Sequence, residues 1–484
     1  MAGIFGAAVM IGVVAGLRDN SAALAIIALC LVAVAALTSG SSRALAIASV
    51  AGFALGSFAG VNHEAPASAA DGPLPAVIDA RIESDPRLTA GGQFVRVTWV
   101  DDDGGRRSAP LIMPAPASAG RGDRVIVGEA DRLVVDGLII AERVEVEPAS
   151  GRLEQLRRHL RQRATINTLA VVPGSHGSLA LGLLIGDDSG LTQAERQAMR
   201  ASGLSHITAV SGSNVAMVIG VVAFVLVALV GRPWLWIPPQ LAAIIFYVWI
   251  VGTEPPIARA AIMGSLVLLA IGLGRPSHLF TLLFLAGGIM GLHNPEVLST
   301  LSFQLSFLSM LALGVVGTRV QRMEGRGKRI AAILASPAGA AVATAPLIAL
   351  RFGAFSLGTV PANVLVAPLI APATGLAAVT ASIGGVPLLG DLAGLPLWAA
   401  TGLVLEVARF VGSFPGAYWT FGPPGVGVVV IVYLALAALV TPFVPEGRLL
   451  VNRLRRWVTG EPAVALSSVT AALALLWALM SAAD

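Results

Sequence analysis

The chain has 484 residues, of which 56% are hydrophobic and 12% charged, and its mean hydropathy is +0.81. That balance excludes an ordinary soluble domain, because many segments reach the ~20 apolar residues needed to cross a bilayer. The formal net charge of +4 is carried almost wholly by Arg; in such a chain it reports cytoplasmic loops rather than nucleic-acid affinity.

The expected fold class is therefore a polytopic α-helical membrane protein. Cys30 is the only cysteine, so neither an intramolecular disulfide nor a Cys-based zinc site can form. Three apolar segments open the chain, over 3–17, 21–37 and 44–61, and make residues 1–61 an N-terminal transmembrane part. No basic region precedes the first, which reads as a retained span rather than a cleaved signal.

The character changes over residues 71–148. AVIDARIE, FVRVTWV, DRVIVGEA, RLVVDGLII and ERVEVE alternate and are rich in β-branched residues, so each reads as a strand. TAGGQ, DDDGGRR and SAGRGD supply turns. Five short strands in this space predict a small extracytoplasmic all-β domain of OB-like type. Acidic residues outnumber basic ones here, and only Phe94 and Trp99 are available to stack bases. A single-strand binder needs a basic groove with stacking aromatics, so a structural or docking module is the favoured reading.

Residues 151–169 form a basic amphipathic helix by pattern. Leu153, Leu156 and Leu160 mark one side; Arg152, Arg157, Arg158, His159, Arg161 and Arg163 mark the other. Such a helix lies in the membrane interface, held by anionic lipid. The sharper reading makes Arg157, Arg158 and Arg161 a phosphate-contacting collar at a pore mouth.

Residues 174–444 form the main transmembrane domain. Its spans are expected at 207–230, 234–251, 256–273, 278–292, 297–316, 330–350, 357–381, 388–411 and 426–444. The segment 388–411, with Glu406 and Arg409, fits a span or an interfacial helix. Residues 445–484 then supply a basic cytoplasmic loop and a final helix over 463–480. The basic clusters at 319–329 and 448–456 belong in the cytoplasm by the positive-inside rule. Counting back puts the N-terminus in the cytoplasm and residues 62–205 outside it.

Polar residues mark the site. Asp187 and Asp188 precede the AERQAM helix, which they cap or hold; a divalent cation is the weaker alternative, since two adjacent carboxylates are few ligands. Ser205, Thr208, Ser211 and Asn214 recur every third residue, a polar stripe on one helix side, with His206 beside it. Such a stripe either packs helices or borders water or a substrate path. Arg259 sits early in a span, shortly after Glu254, where it would pair with that carboxylate or meet phosphate. His206 and Ser211 could suggest a hydrolase, but five residues place them roughly 140° apart on an ideal helix, out of hydrogen-bonding reach. No enzyme activity and no cofactor are expected.

GLLIGDDSGLT followed by GLSHITAVSGSNVA resembles the signature of the ComEC family of bacterial competence proteins. The family wording is close to GLSHLLAISGLHV, so Ser213-Asn214 stands where the family has Leu-His, and that His's role does not pass to Asn214. RAAIM around Arg259, the stretch from Arg275 through Gln304, and FSLGTVPANVLVAPLIAP with Asn363 continue the resemblance in the family's order. The resemblance implies an inner-membrane channel passing transforming DNA as a single strand. Ser205, His206, Thr208, Ser211, Asn214, Arg259, Gln304 and Asn363 are then the candidates to line the path. It also implies separate DNA receptor, nuclease and cytoplasmic ATPase partners, with homo-oligomer formation left open. Many family members end in a metallo-β-lactamase-like domain; the six histidines lie far apart and build no H-x-H-x-D-H cluster, so a form without that domain is expected. A small-molecule or lipid-intermediate transporter is the competing reading, since broken helices and midplane polar groups suit it too.

Overall fold

The structure is a computed structural model. It describes residues 67–440 except 69–73, 76, 84–86, 90–91, 101–105, 115–122, 136–137, 148–150, 209–211, 230–232, 275–277, 322 and 326. The expected segments 1–61 and 445–484, and the candidate Ser211, lie outside the described residues.

Two compact units share the chain. One comprises His63–Gly272 and Leu365–Ser413; the other comprises Met1–Asn62, Leu273–Val364 and Phe414–Asp484.

The first unit begins with the strands β1 (Ala67–Ser68), β2 (Val77–Ile82), β3 (Arg87–Thr89), β4 (Gly92–Val100), β5 (Arg106–Met113), β6 (Arg124–Gly128), β7 (Arg132–Val135), β8 (Leu138–Ala141) and β9 (Glu145–Glu147). β2, β4 and β5 form an antiparallel meander. β5 pairs in parallel with β8, and β8 pairs with β7. β7 follows β6 through one 3-10 turn, and β6 pairs back onto β2. The pairings run in the order β7-β8-β5-β4-β2-β6-β9, with β1 added on β5 and β3 on β4, so the strands expected from the sequence form one sheet. The alternation that predicted the strands also builds the core. Ile78, Ala80 and Ile82 of β2 face Val95, Val97 and Trp99 of β4 in one buried cluster. Trp99 is therefore core and not a stacking surface.

Next come α1 (Arg152–Val171), α2 (Gly174–Ile185), α3 (Gln193–Ala201), α4 (Ser205–Thr208), α5 (Gly212–Leu229), α6 (Ile237–Val251) and α7 (Pro255–Gly272). Further along are α8 (Leu279–His293), α9 (Leu301–Gln321), α10 (Gly327–Phe352), α11 (Thr359–Ile383), α12 (Leu389–Gly412) and α13 (Val426–Val440). Among the described residues, α7, α9, α10, α11 and α12 are long and apolar enough to cross a membrane. The protein is a polytopic helical membrane protein with a small all-β region ahead of its main helices.

In the first unit α5, α6 and α7 share a core of Val215, Ile244, Tyr247, Ile257 and Leu268. Small residues let these helices approach closely: a Cβ on Gly264 would lie 2.7 Å from Ile219 Cδ1. α2 is enclosed, with every residue from Gly177 to Leu183 buried. Val172, Ala180, Ala377 and Leu397 form the cluster joining α2 to α11 and α12. The segment that the sequence left as span or interfacial helix is one 24-residue helix, α12. Leu389, Leu392, Leu395 and Phe410 are exposed along it, while Leu397, Val404 and Ala408 are buried.

In the second unit α9 and α10 are neighbours, and Val316 Cγ2 would meet a Cβ on Gly339 at 2.7 Å. The short strands β10 (Ala354–Ser356) and β11 (Tyr418–Thr420) pair antiparallel.

Candidate functional site

The approach to the polar stripe is a tight turn. Gly186 ends α2 in the left-handed region, at φ 76°, a conformation that costs Gly nothing sterically. Asp187 Oδ1 accepts from the Ser189 backbone N–H at 3.1 Å. Asp188 lies 3.5 Å from Arg196, which also donates to the carbonyls of Ser189 and Leu191. The two aspartates hold the turn that leads to α3. The capping offered to them belongs instead to Thr192, which forms a full capping box with Glu195. Among the described residues no three His, Cys, Asp or Glu side chains converge as metal ligands would.

Glu195 is buried. Burial pushes its carboxyl up, but hydrogen bonds from Ser175, Thr192 and Arg409 outweigh it and hold the group below its ordinary value of 4.5. Arg409 reaches it from α12 at 2.9 Å.

The stripe does not present one wet face. Ser205 and His206 are exposed, and His206 Nδ1 lies 3.1 Å from the Gly203 carbonyl. Thr208 is buried and donates to the Ser205 carbonyl. Asn214 is buried and donates to the Leu183 carbonyl at 2.6 Å. Tyr247, which sequence reasoning passed over, donates to the neighbouring Leu184 carbonyl at 3.3 Å. The last carbonyls of a helix lack partners within it, and Asn214 and Tyr247 supply donors to them. Nothing in the sequence around Tyr247 marks it out, since a Tyr in an apolar span reads as packing.

Arg259 is buried in α7, only 6% exposed. Its Nη2 lies 3.3 Å from where a Cβ at Gly212 would stand, so the missing side chain there makes room for the guanidinium. The backbone carbonyl of Glu254 accepts from Ile257 and Ala258 at the start of the same helix.

Two other candidates belong to the second unit and bond locally. Gln304 donates to the carbonyls of Leu298 and Ser299, and Asn363 donates to Thr359 at 2.7 Å. The structure therefore groups Ser205, His206, Thr208, Asn214 and Arg259 in one unit, apart from Gln304 and Asn363.

The arginines of the expected collar have partners within the protein. Arg157 is buried, pairs with Glu154 at 3.1 Å and donates to the Ile250 carbonyl. Arg161 donates to the same carbonyl at 2.9 Å. Arg158 pairs at 2.5 Å with Asp123, which is fully buried at the start of β6. Cations suit the carbonyl end of a helix, and here they fasten α1 to α6 and to the sheet. These three side chains have inward partners and do not form a free phosphate-contacting row.

The competence protein family matches residues 183–445, more than half of the chain. The chain belongs to the competence protein family. An uncharacterized protein of Aquifex aeolicus (strain VF5) is 27% identical over 267 residues, covering 54% of this chain and 61% of that protein. The chain thus matches less than two thirds of that relative's length. No solved structure matches. The competence-family stretch opens at the end of α2 and includes Asn214, Arg259, Gln304 and Asn363, whereas the β-sheet and α1 precede it.

Proposed function

We propose that this competence-family protein acts in DNA uptake, as a plasma-membrane channel through which transforming DNA passes as a single strand. Family membership and the set of membrane-length helices support the reading. The observation that carries it is Arg259: a guanidinium buried within a membrane-length helix, given space by a glycine on the neighbouring helix. Ionisable groups at such positions mark ion or substrate routes by default, and a phosphodiester is the chemistry a guanidinium matches.

Ser205, His206, Thr208, Ser211, Asn214, Gln304 and Asn363 complete the proposed lining, with the exposed Ser205 and His206 nearest its entrance. A path must hold its cargo weakly at many points, and neutral hydroxyl and amide groups suit that. The N-terminus is placed in the cytoplasm and residues 62–205 outside. DNA capture, strand degradation and driving force fall to a receptor, a nuclease and an ATPase on other chains. No chemical step is assigned to this one. The family match removes the ground for preferring a small-molecule transporter.

The test is uptake of labelled DNA into the cytoplasm by a clean deletion strain carrying wild-type or variant protein. Arg259→Gln should reduce uptake at least about tenfold, as expected for losing one charged contact, at unchanged membrane abundance; Arg259→Lys should retain part of it. Normal uptake by Arg259→Gln, or by the deletion strain, overturns the reading.

A further inference from the structure

The amphipathic pattern at 151–169 suggests a helix lying flat on the membrane. The structure continues α1 to Val171, reverses at Val172–Pro173, and returns through the buried α2. No Asp, Glu, Lys or Arg occurs from Ala164 to Gly186. The reversal meets α12 in that helix's second turn, and α2 then runs beside it. A Cβ on Gly394 would stand 2.1 Å from Val171 Cγ1, and one on Gly402 would stand 2.8 Å from His176 Cε1. His176 also stacks on Trp398, with centroids 5.0 Å apart. The beginning of α1, by contrast, is pinned through Arg157 and Arg161 to the last carbonyls of α6, where that apolar helix gives way to Gly252-Thr253-Glu254.

The exposed face of α1 changes along its length. Arg152, His159 and Arg163 are exposed early, among the exposed Leu153 and Leu156. Ile166 and Leu169 are exposed later, and no charged residue follows Arg163 in the helix. Mixed basic and apolar surface suits the headgroup level, and purely apolar surface suits acyl chains. From Arg163 to Val172 an α-helix rises roughly 13 Å, close to half of a hydrocarbon core about 30 Å thick. A polar group carried to that depth needs an internal partner; Asn167 has one, donating to the Ala381 carbonyl at 2.9 Å.

We infer that α1 and α2 form a re-entrant hairpin. α1 enters the bilayer obliquely, with Arg152, His159 and Arg163 against anionic lipid headgroups and Ile166 and Leu169 against acyl chains. The occupant of this face is lipid rather than DNA, because the face loses its cations where a phosphate track would have to continue. The inference rests on the membrane architecture and stands or falls apart from the DNA path.

Full-length protein with Cys30→Ser, reconstituted in phosphatidylglycerol-containing vesicles, carries a spin label at Arg152→Cys, His159→Cys, Ile166→Cys or Leu169→Cys. Collisions with a water-soluble nickel chelate should dominate at 152. Collisions with dissolved oxygen should dominate at 166 and 169, reversing the ratio. Chelate access at 166 and 169 equal to that at 152 overturns the hairpin, since α1 would then lie outside the lipid. Suppression of both collision agents at 166 and 169 also overturns it, since protein would cover the face. The label at 166 should sit shallower in pure phosphatidylcholine, and Arg152→Gln with Arg163→Gln should abolish that difference. A depth indifferent to lipid charge refutes the headgroup contact.

Discussion

Arg409 on α12 donates to the buried carboxylate of Glu195 on α3 across 2.9 Å, although 214 positions separate the two in the chain. Glu195 at the same time closes the capping box of its own helix. One side chain therefore starts α3 and fastens it to a membrane-length helix. Glu195→Ala removes the cap and strands Arg409, and should cost about 2 kcal/mol. Glu195→Gln keeps the shape of the cap and should cost about half as much on the same scale. Thermal unfolding in detergent reads the order; equal melting temperatures for the wild type and Glu195→Ala would contradict it.

The same contact predicts a pH dependence. The Glu195 carboxyl titrates below its ordinary value of 4.5 in the folded protein. A group whose folded value is depressed contributes stability above its unfolded value, and loses it as pH falls through the folded one. The attachment of α3 should thus be constant at neutral pH and weaken below about 4.5. Protease access to the 186–192 turn, followed from pH 7 downwards, should rise in that acid window for the wild type. Glu195→Gln should start higher and change less.

Glycine positions in α11 and α12 should respond unequally to a methyl group. Gly394→Ala drives a Cβ into Val171, and overpacking of this kind costs about 1–3 kcal/mol. At Gly375 in α11 a Cβ meets nothing within 4 Å. Gly375→Ala should be neutral or stabilising by up to about 1 kcal/mol, because Ala is the better helix former. Paired detergent melts of the two variants check the contrast.

Asn214 separates packing from transport. Asn214→Leu leaves the buried Leu183 carbonyl without its donor, a loss of about 1–3 kcal/mol. The expected result is a lower melting temperature and lower membrane abundance. Uptake per molecule should fall only to the extent that Asn214 also borders the path, so normalising uptake to abundance distinguishes the two roles.

The β10–β11 pair constrains topology. Ser356 pairs with Tyr418 and Phe355 with Trp419, while α11 and α12 intervene in sequence. Strands can pair only on one side of a membrane, so α11 and α12 must both cross it or both fail to cross. Ser356→Cys with Tyr418→Cys, in a Cys30→Ser background, should cross-link on mild oxidation. Each single cysteine should react with an impermeant maleimide from the same side. Reaction from opposite sides would exclude the pairing.

Much of this architecture was legible in the residues. The expected span 256–273 became Pro255–Gly272, and 388–411 became Leu389–Gly412, because a run of apolar residues sets helix length whatever surrounds it. VIDARI and FVRVTWV predicted their own inward faces, since one side of this sheet packs into the core and the other is exposed. The order of the signature blocks led to the competence family, which the match over 183–445 shows.

The orientation of the polar side chains was not legible. The stripe at Ser205, Thr208 and Asn214 was one face by spacing, but Ser205 is exposed while Thr208 and Asn214 are buried. Arg157, Arg158 and Arg161 sat on a basic face by pattern, yet the partners that turn them inward are the Ile250 carbonyl and Asp123, 93 and 35 positions away. Periodicity separates faces when one side meets water. Lipid and packed protein are alike in polarity, so beside a bilayer the pattern fixes which residues share a helix side and leaves open what that side touches. That choice is made by carbonyls and carboxylates remote in the chain, and only the folded arrangement brings them within hydrogen-bonding distance.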